Sequence, residues 1–396
     1  MKIVEINAVP YGSTGKITKG IADVARKKGH EVYLYFSWTK ALSKSNDRNV
    51  MVGSFVGKAL HMALSKITGY HGKYSVADTK KLIKELKRIK PDIIHLHIVH
   101  SWSINLELLF DYIKQNGIKV FWTFHDCWAF TGQCPHFIMA KCDKWKTGCF
   151  DCPQCREYPA TYVDRSKKMW EMKRTWFTGV EDLTVITPSV WLAGLTKDSF
   201  MQEYPVKVIN NGIDLNIFKP TPSDFRKKHS CEDKVILLGV AFGWGKRKGL
   251  DVFIDLANDL EEKYQIVLVG TDDETDKQLP KNVISIHRTH DQQELAEIYT
   301  AADVFVNPTR EDTYPTVNME SLACGTPVIT FKTGGSPEIV NESCGIVVDC
   351  NDIDALKKAI LHFSEAPVSR EACLRAAERF DMHDRFAEYV DMIENG

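Results

Sequence analysis

The stretch Pro308–Ile329 (PTREDTYPTVNMESLACGTPVI) joins a helix start to acidic side chains at both of its ends. Pro315 suits a first helical turn, where its missing N–H removes no hydrogen bond. The start of that helix aims unpaired N–H groups and a partial positive charge at the turn before it. Phosphates collect at such places. Glu311 and Asp312 precede the turn, and Glu320 follows it inside the helix. Carboxylates beside a phosphate repel it unless they accept hydrogen bonds from hydroxyls, so the local chemistry points to a sugar joined to a phosphate. A second cluster, Ala241–Leu250 (AFGWGKRKGL), places glycines and the adjacent cations Lys246, Arg247 and Lys248 at a predicted strand-to-helix turn. That turn suits a diphosphate, with each charge-assisted contact contributing roughly 1.5–3 kcal/mol. A solvated basic turn is the plainer alternative.

Three further groups carry chemistry. Tyr11-Gly12-Ser13-Thr14-Gly15-Lys16 reads as a polar glycine loop after a first strand. It fails as a Walker A sequence, because Ile17 follows Lys16 and Pro10 stands five residues before Gly15. It is either a glycine turn that lets a ligand approach the backbone or a plain tight turn. His125-Asp126 ends a predicted strand over 118–124, the place where ligands bind in parallel sheets, which makes His125 a candidate site residue. His100 is also near a strand end, whereas His95 and His97 alternate along a strand and read as core. Six of the eleven cysteines lie between Cys127 and Cys155. Clustering of this kind in a reducing compartment favours metal binding or buried thiols over disulfides. Cys134, Cys142, Cys149 and Cys152 offer four thiolates for a structural zinc ion, and Cys152-Pro-Gln-Cys155 resembles half a zinc knuckle. A set of reduced thiols in a long loop is the alternative.

The elements that must position these groups alternate. Predicted strands at 2–9, 31–36, 118–124, 182–187, 265–270, 282–286, 303–306 and 327–331 are separated by helical patterns, which argues α/β architecture with doubly wound parallel sheets. At 396 residues the chain exceeds one ordinary core, and the βα rhythm restarts at Lys234, so two domains are expected. A formal net charge of −1 argues against nucleic acid as a partner. No apolar run reaches the roughly 18 residues that span a bilayer. The N-terminus carries Glu5 and Asn7 inside its apolar stretch and reads as a strand rather than a signal peptide, which predicts a cytoplasmic protein. Residues 54–68 (SFVGKALHMALSKIT) have helical spacing of Phe55, Leu60, Leu64 and Ile67. The pattern predicts a core-facing helix; its rival is a surface that touches lipid or a lipid-linked acceptor, with peripheral contact at the inner face of the membrane. Asp352-Ile353-Asp354 matches a metal-binding DxD on paper, but it opens a helix and N-capping explains it better.

These residues together resemble the retaining glycosyltransferases of family 4, of the bacterial polysaccharide-biosynthesis type. The similarity rests on Asn211-Gly-Ile-Asp with Phe218, Arg247-Lys248-Gly249, the run Ile298–Thr309 (IYTAADVFVNPT), and ESLACGTPVI followed by TGGSPEIV. The resemblance implies a GT-B fold, two facing Rossmann-like domains with a cleft between them. It implies residues 1–205 as an acceptor-binding domain carrying the cysteine-rich loop 127–155, and residues 206–378 as the donor domain. Residues 379–396 would form a helix packing back on the N-terminal domain. It implies a nucleotide diphosphate sugar as donor, a glycan or lipid-linked acceptor, and no cofactor in catalysis. Lys248 and Arg247 would hold the diphosphate, Glu320 the ribose hydroxyls, and the turn Tyr314-Pro315-Thr316-Val317 would give N–H groups to phosphate and sugar. His125 would lie near the transferred sugar, Gly12 and Gly15 beside the phosphates, and Arg288 among residues 286–289 flanking the base. The first acid of the family's E-x7-E falls on Asp312, with Glu311 one position earlier, so either carboxylate is open for that place. A nucleotide-sugar epimerase on the same fold and a non-catalytic, zinc-containing subunit of a glycan-assembly complex are the rival functions.

Overall fold

Apolar runs such as Ile3-Val4, Ile93-Ile94 and Val235–Leu238 are too continuous for half-exposed strands and suit strands covered on both faces. The computed structural model, which describes residues 1–38 and 49–396, places each of these runs in a parallel sheet. The first sheet contains β1 (Lys2–Asn7), β2 (Glu31–Phe36), β3 (Asn49–Met51), β4 (Ile93–Leu96), β5 (Lys119–Thr123), β6 (Leu183–Thr187) and β7 (Val206–Val208). Its order is β3-β2-β1-β4-β5-β6-β7. The second contains β8 (Val235–Val240), β9 (Tyr264–Val269), β10 (Val283–Ile286), β11 (Val304–Asn307), β12 (Val328–Phe331) and β13 (Gly345–Val348), in the order β10-β9-β8-β11-β12-β13. Both are doubly wound, Rossmann-like sheets. Strand order reverses between β1 and β4 in the first and between β8 and β11 in the second, and ligands bind at such reversals.

The chain divides into two compact units, Met1–Asn210 with Phe386–Gly396, and Asn211–Arg385. In the first unit Val4, Ile94, Val120 and Val185 belong to one apolar cluster, while their sequence neighbours Ile3, Ile93, Phe121 and Ile186 are buried outside it. In the second, alternate strand residues face opposite ways: Leu238, Val267 and Phe305 pack in one cluster, and Leu237, Ile266 and Val306 in another. The short strands β3, β7 and β13 lie outside the sequence-based expectation, since runs of three or four residues give little periodic signal.

Two local expectations are corrected. The glycine loop at 11–16 is the first turn of a helix, Gly12–Lys27. Gly12 begins it at φ +70°, and a Cβ on Gly15 would collide with the Pro10 backbone, so both glycines serve a tight strand-to-helix junction. Pro315 stands one residue ahead of the helix Thr316–Ala323, at its N-cap, rather than in its first turn.

Candidate active site

In the second unit, the loops after β8 and β11 flank the strand-order reversal. β8 leads through Gly243 and Gly245 into a single 3-10 turn, Lys246–Lys248, and then the helix Leu250–Asp259. β11 leads through Pro308–Pro315 into the helix Thr316–Ala323. The two loops are joined where they meet. Lys248 Nζ donates to Asp312 Oδ2 at 2.7 Å, with both side chains about one-fifth exposed at 20% and 21%. Arg310 N–H donates to the Arg247 carbonyl at 2.9 Å. Arg310 reaches further, donating to both carboxylate oxygens of Asp251 at 2.7 and 2.8 Å and to the Lys246 carbonyl. The basic turn is therefore held from beneath by a nearly buried guanidinium, and Lys246 and Arg247 keep exposed side chains.

Asp312 and Glu311 differ in burial. Glu311 is only 3% exposed, while Asp312 is half-buried and meets Lys248. The structure therefore gives the accessible carboxylate to Asp312. Gly334, at φ +53°, lets the Thr333–Ser336 turn lie against the Asp312 carbonyl, where any Cβ would collide. Pro315, at the N-cap of the helix that starts at Thr316, offers no capping side chain, and the first turn holds no acidic residue. The N–H groups of Thr316 and Val317 thus stand at a positive helix end beside the Lys248–Asp312 pair. Tyr314 is buried, and its carbonyl accepts from Asn211 Nδ2 at 3.4 Å. One and a quarter turns into the helix, half-buried Glu320 accepts from the hydroxyl of Tyr299 at 3.2 Å. Burial and the charge of Glu320 push the Tyr299 phenol well above its usual pKa, so it remains a donor. Arg288 is exposed and follows the edge strand β10, two strands from β8.

In the first unit a chain of hydrogen bonds starts on β1. The Glu5 carboxylate accepts from His95 at 3.1 Å and from His97 at 3.0 Å. His97 Nδ1 is 3.0 Å from His125 Nε2, and the two rings stack at 5.3 Å and 16°. His95 Nε2 is 2.8 Å from the Thr123 hydroxyl. Burial alone raises the Glu5 carboxyl, but the hydrogen bonds and charges of His95 and His97 hold it down at about 2. Burial, reinforced by neighbouring histidines, lowers His97 to about 4 and His125 to about 3, so both rings are neutral at neutral pH. His100 pairs with Asp126 at 3.1 Å and stacks on Trp128. A cavity of about 10 Å³ is lined by His97, His100, His125 and Asp126 among others.

Residues 15–217 match the Glycosyltransferase Family 4 profile, and residues 222–380 match Glycosyl transferases group 1. The chain belongs to glycosyltransferase family 4. Among its relatives is WcaC of Escherichia coli K12, assigned to colanic acid biosynthesis, at 26% identity over 77% of this chain and 76% of that protein. A GDP-mannose-dependent mannosyltransferase acting on a monoacylated phosphatidylinositol mannoside, from Corynebacterium glutamicum, is 28% identical over 51% of this chain and 57% of its own length. The structure of Anabaena HepE in complex with UDP and glucose superposes along the whole of both chains at TM-score 0.70 and 15% identity. That likeness shows the GT-B fold.

One further part of this family 4 glycosyltransferase differs from what periodicity predicts. The helix Phe55–Thr68 does not turn its apolar residues to the core. Phe55 is 72% exposed, Leu60 58% and Ile67 57%, while Lys58, His61 and Ser65 are buried. Polar contacts make the difference: Lys58 Nζ donates to the Ser37 carbonyl, and His61 pairs with the Ser75 hydroxyl at 2.8 Å. Among the described residues no helix is long and apolar enough to cross a membrane. In the cysteine loop, Cys134, Cys142, Cys149 and Cys152 line one cavity of about 10 Å³. The amide of Gly132 donates to Cys149 Sγ at 3.1 Å, and Lys173, fully buried, donates to the Trp128 and Thr131 carbonyls. Among the described residues, however, the group whose ligand atoms all lie within 4.8 Å of one another is Glu5, His95 and His97, not the thiols. Those three already satisfy each other by hydrogen bonds. Asp352 accepts from the amide of Ala355 at 2.9 Å, so the DxD is a helix cap.

Arg310 and Tyr299 escape the reading of motifs alone, which also leaves His97 in the core without a partner. Arg310 stands directly before Glu311, and Tyr299 lies in the run Ile298–Thr309. A carboxylate inside a fully buried first strand is the available signal for the histidine network, since Glu5 pairs in register with His95.

Proposed function

We propose that this glycosyltransferase moves a sugar from a nucleotide diphosphate sugar to a glycan or lipid-linked acceptor, with retention at the anomeric carbon and no metal in the catalytic step. One observation carries the reading: the Lys248–Asp312 pair stands at a helix start where strand order reverses. In the proposed complex the donor's diphosphate displaces the Asp312 carboxylate from Lys248. Asp312 turns to the sugar hydroxyls. Lys248, Arg247 and the N–H groups of Thr316 and Val317 then stabilise the negative charge that grows on the departing phosphate. Glu320, oriented by Tyr299, accepts the ribose hydroxyls. His125 of the first unit serves the transferred sugar. HepE holds UDP and glucose, and the Corynebacterium relative is GDP-mannose-dependent, so UDP- and GDP-sugars are the donors to try first. A panel of nucleotide sugars is expected to contain one that raises Tm, because a ligand that binds only the folded chain stabilises it by mass action. With that donor, transfer should require an acceptor and continue in EDTA. Conversion of donor without acceptor would favour an epimerase, and a panel with no stabilising member would remove the reading.

We further propose that the exposed face of the helix Phe55–Thr68 rests on an anionic lipid surface, the inner face of the membrane, bringing the enzyme to a lipid-linked acceptor. Its apolar residues point outward, Lys66 and Lys73 are exposed nearby, and no Asp or Glu occurs between Phe55 and Ala77. For the cysteine loop we propose a structural zinc on Cys134, Cys142, Cys149 and Cys152. The support is that these four thiols line one small cavity within a long loop whose own regular structure is two 3-10 turns. Metal analysis of protein purified without chelator is expected to give about one zinc per chain, and less than about 0.2 ends this part of the proposal.

A further inference from the structure

The hydrogen bonds from Glu5 to His125 have only one consistent direction when the rings are neutral. A carboxylate accepts and never donates, so the nitrogen of His97 that faces Glu5 at 3.0 Å, Nε2, carries the hydrogen. A neutral imidazole has one N–H, and His97 Nδ1 is therefore an acceptor. It lies 3.0 Å from His125 Nε2, which must donate to it. His125 is thereby left with Nδ1 as its acceptor nitrogen. On the side branch, His95 gives its Nδ1 hydrogen to Glu5, and its Nε2 lies 2.8 Å from the Thr123 hydroxyl.

We propose that Glu5 and His97 are positioning residues that fix His125 as the Nε2–H tautomer, so that its Nδ1 meets any partner, a substrate hydroxyl included, as an acceptor. The substrate half of this statement rests on the glycosyltransferase reading above; the tautomer half does not. The arrangement is built rather than incidental. Glu5 is 1% exposed, His95 fully buried and His97 3% exposed, and their strands β1 and β4 are neighbours on either side of the strand-order reversal. β5, which ends just before His125, pairs with β4. Ring stacking at 16° fixes the plane of the His125 imidazole as well as its hydrogen. A buried carboxylate needs compensating donors, and two histidine N–H groups supply them. The same three side chains could in principle clasp a metal ion. The nitrogens facing Glu5 are donors in this network, however, and the outer nitrogens are engaged by Thr123 and His125. Metal held by the inner nitrogens would have to break both hydrogen bonds to Glu5 and reverse the one between His97 and His125.

The test is long-range proton–nitrogen NMR on full-length protein with 15N-labelled histidine, resonances being assigned with His97→Phe and His125→Asn. Wild-type protein is expected to show both His97 and His125 as neutral Nε2–H tautomers. In His97→Phe, which keeps a flat ring but no acceptor, His125 is expected to lose that single tautomer. His97→Phe should also lower kcat on the order of tenfold, the loss of one hydrogen bond, with donor KM within about twofold. A wild-type His125 carrying its hydrogen on Nδ1, or a His125 tautomer untouched by His97→Phe, overturns the proposal. The wild-type spectrum decides even if the variant fails to fold. A changed tautomer with an unchanged kcat keeps the relay and removes the role of His125 in transfer, so the two failures are distinct.

Discussion

Lys248→Ala is expected to lower kcat/KM for sugar transfer roughly 100- to 1,000-fold, the range seen when one preorganised charge-stabilising donor is removed. Lys248 is the cation that meets Asp312 at 2.7 Å, and its ammonium is the group that would be exchanged from carboxylate to diphosphate. The pair is partly solvated, so losing it changes stability little. Tm should therefore move by no more than about 2 °C, and circular dichroism should be unchanged. The contrast between a large kinetic effect and a small stability effect is what separates a donor-binding lysine from a structural one. Arg310 makes the opposite case. It is nearly buried and forks onto Asp251, so its removal would loosen the turn that carries Lys248.

The double substitution of Phe55 and Leu60 by serine is expected to release the enzyme from anionic vesicles. Each side chain contributes roughly 1.5–3 kcal/mol when fully buried in an apolar phase, so losing both weakens partition by roughly 100-fold or more. Both residues are more than half exposed, at 72% and 58%, so serine at these places costs the folded chain little. Wild-type protein should co-sediment with vesicles rich in anionic lipid while the double variant stays in the supernatant. Equal sedimentation of the two proteins would sink the lipid-surface proposal.

Much of the fold was legible because buried parallel strands leave continuous apolar runs, and Val235–Leu238 could be little else. The residues proposed for the donor were singled out for a different reason: glycines and adjacent cations at one turn, with acids at a helix start, suit a sugar joined to a diphosphate. What periodicity could not give was orientation. The helix Phe55–Thr68 has an apolar stripe of the right spacing, yet its polar face is the buried one, because Lys58 and His61 find partners beneath it. Spacing tells which residues share a face, never which face is inside. The choice between Glu311 and Asp312 was equally out of reach, since adjacent residues in an irregular loop point where the local backbone sends them. Here the Gly334 turn lies against the Asp312 carbonyl and Glu311 is buried. The relay to His125 was hidden because it joins three strands, and its members lie 92 and 28 positions apart in the chain.

Calorimetric titration of the stabilising nucleotide sugar tests the central claim most directly. Wild-type enzyme is expected to bind one donor per chain in the presence of EDTA, with binding weakened at least tenfold in Lys248→Ala, as the loss of a charge-assisted contact of roughly 1.5–3 kcal/mol requires. Equal affinity in the two proteins, or no heat of binding with any UDP- or GDP-sugar, would contradict a donor site built on Lys248 and the helix that starts at Thr316.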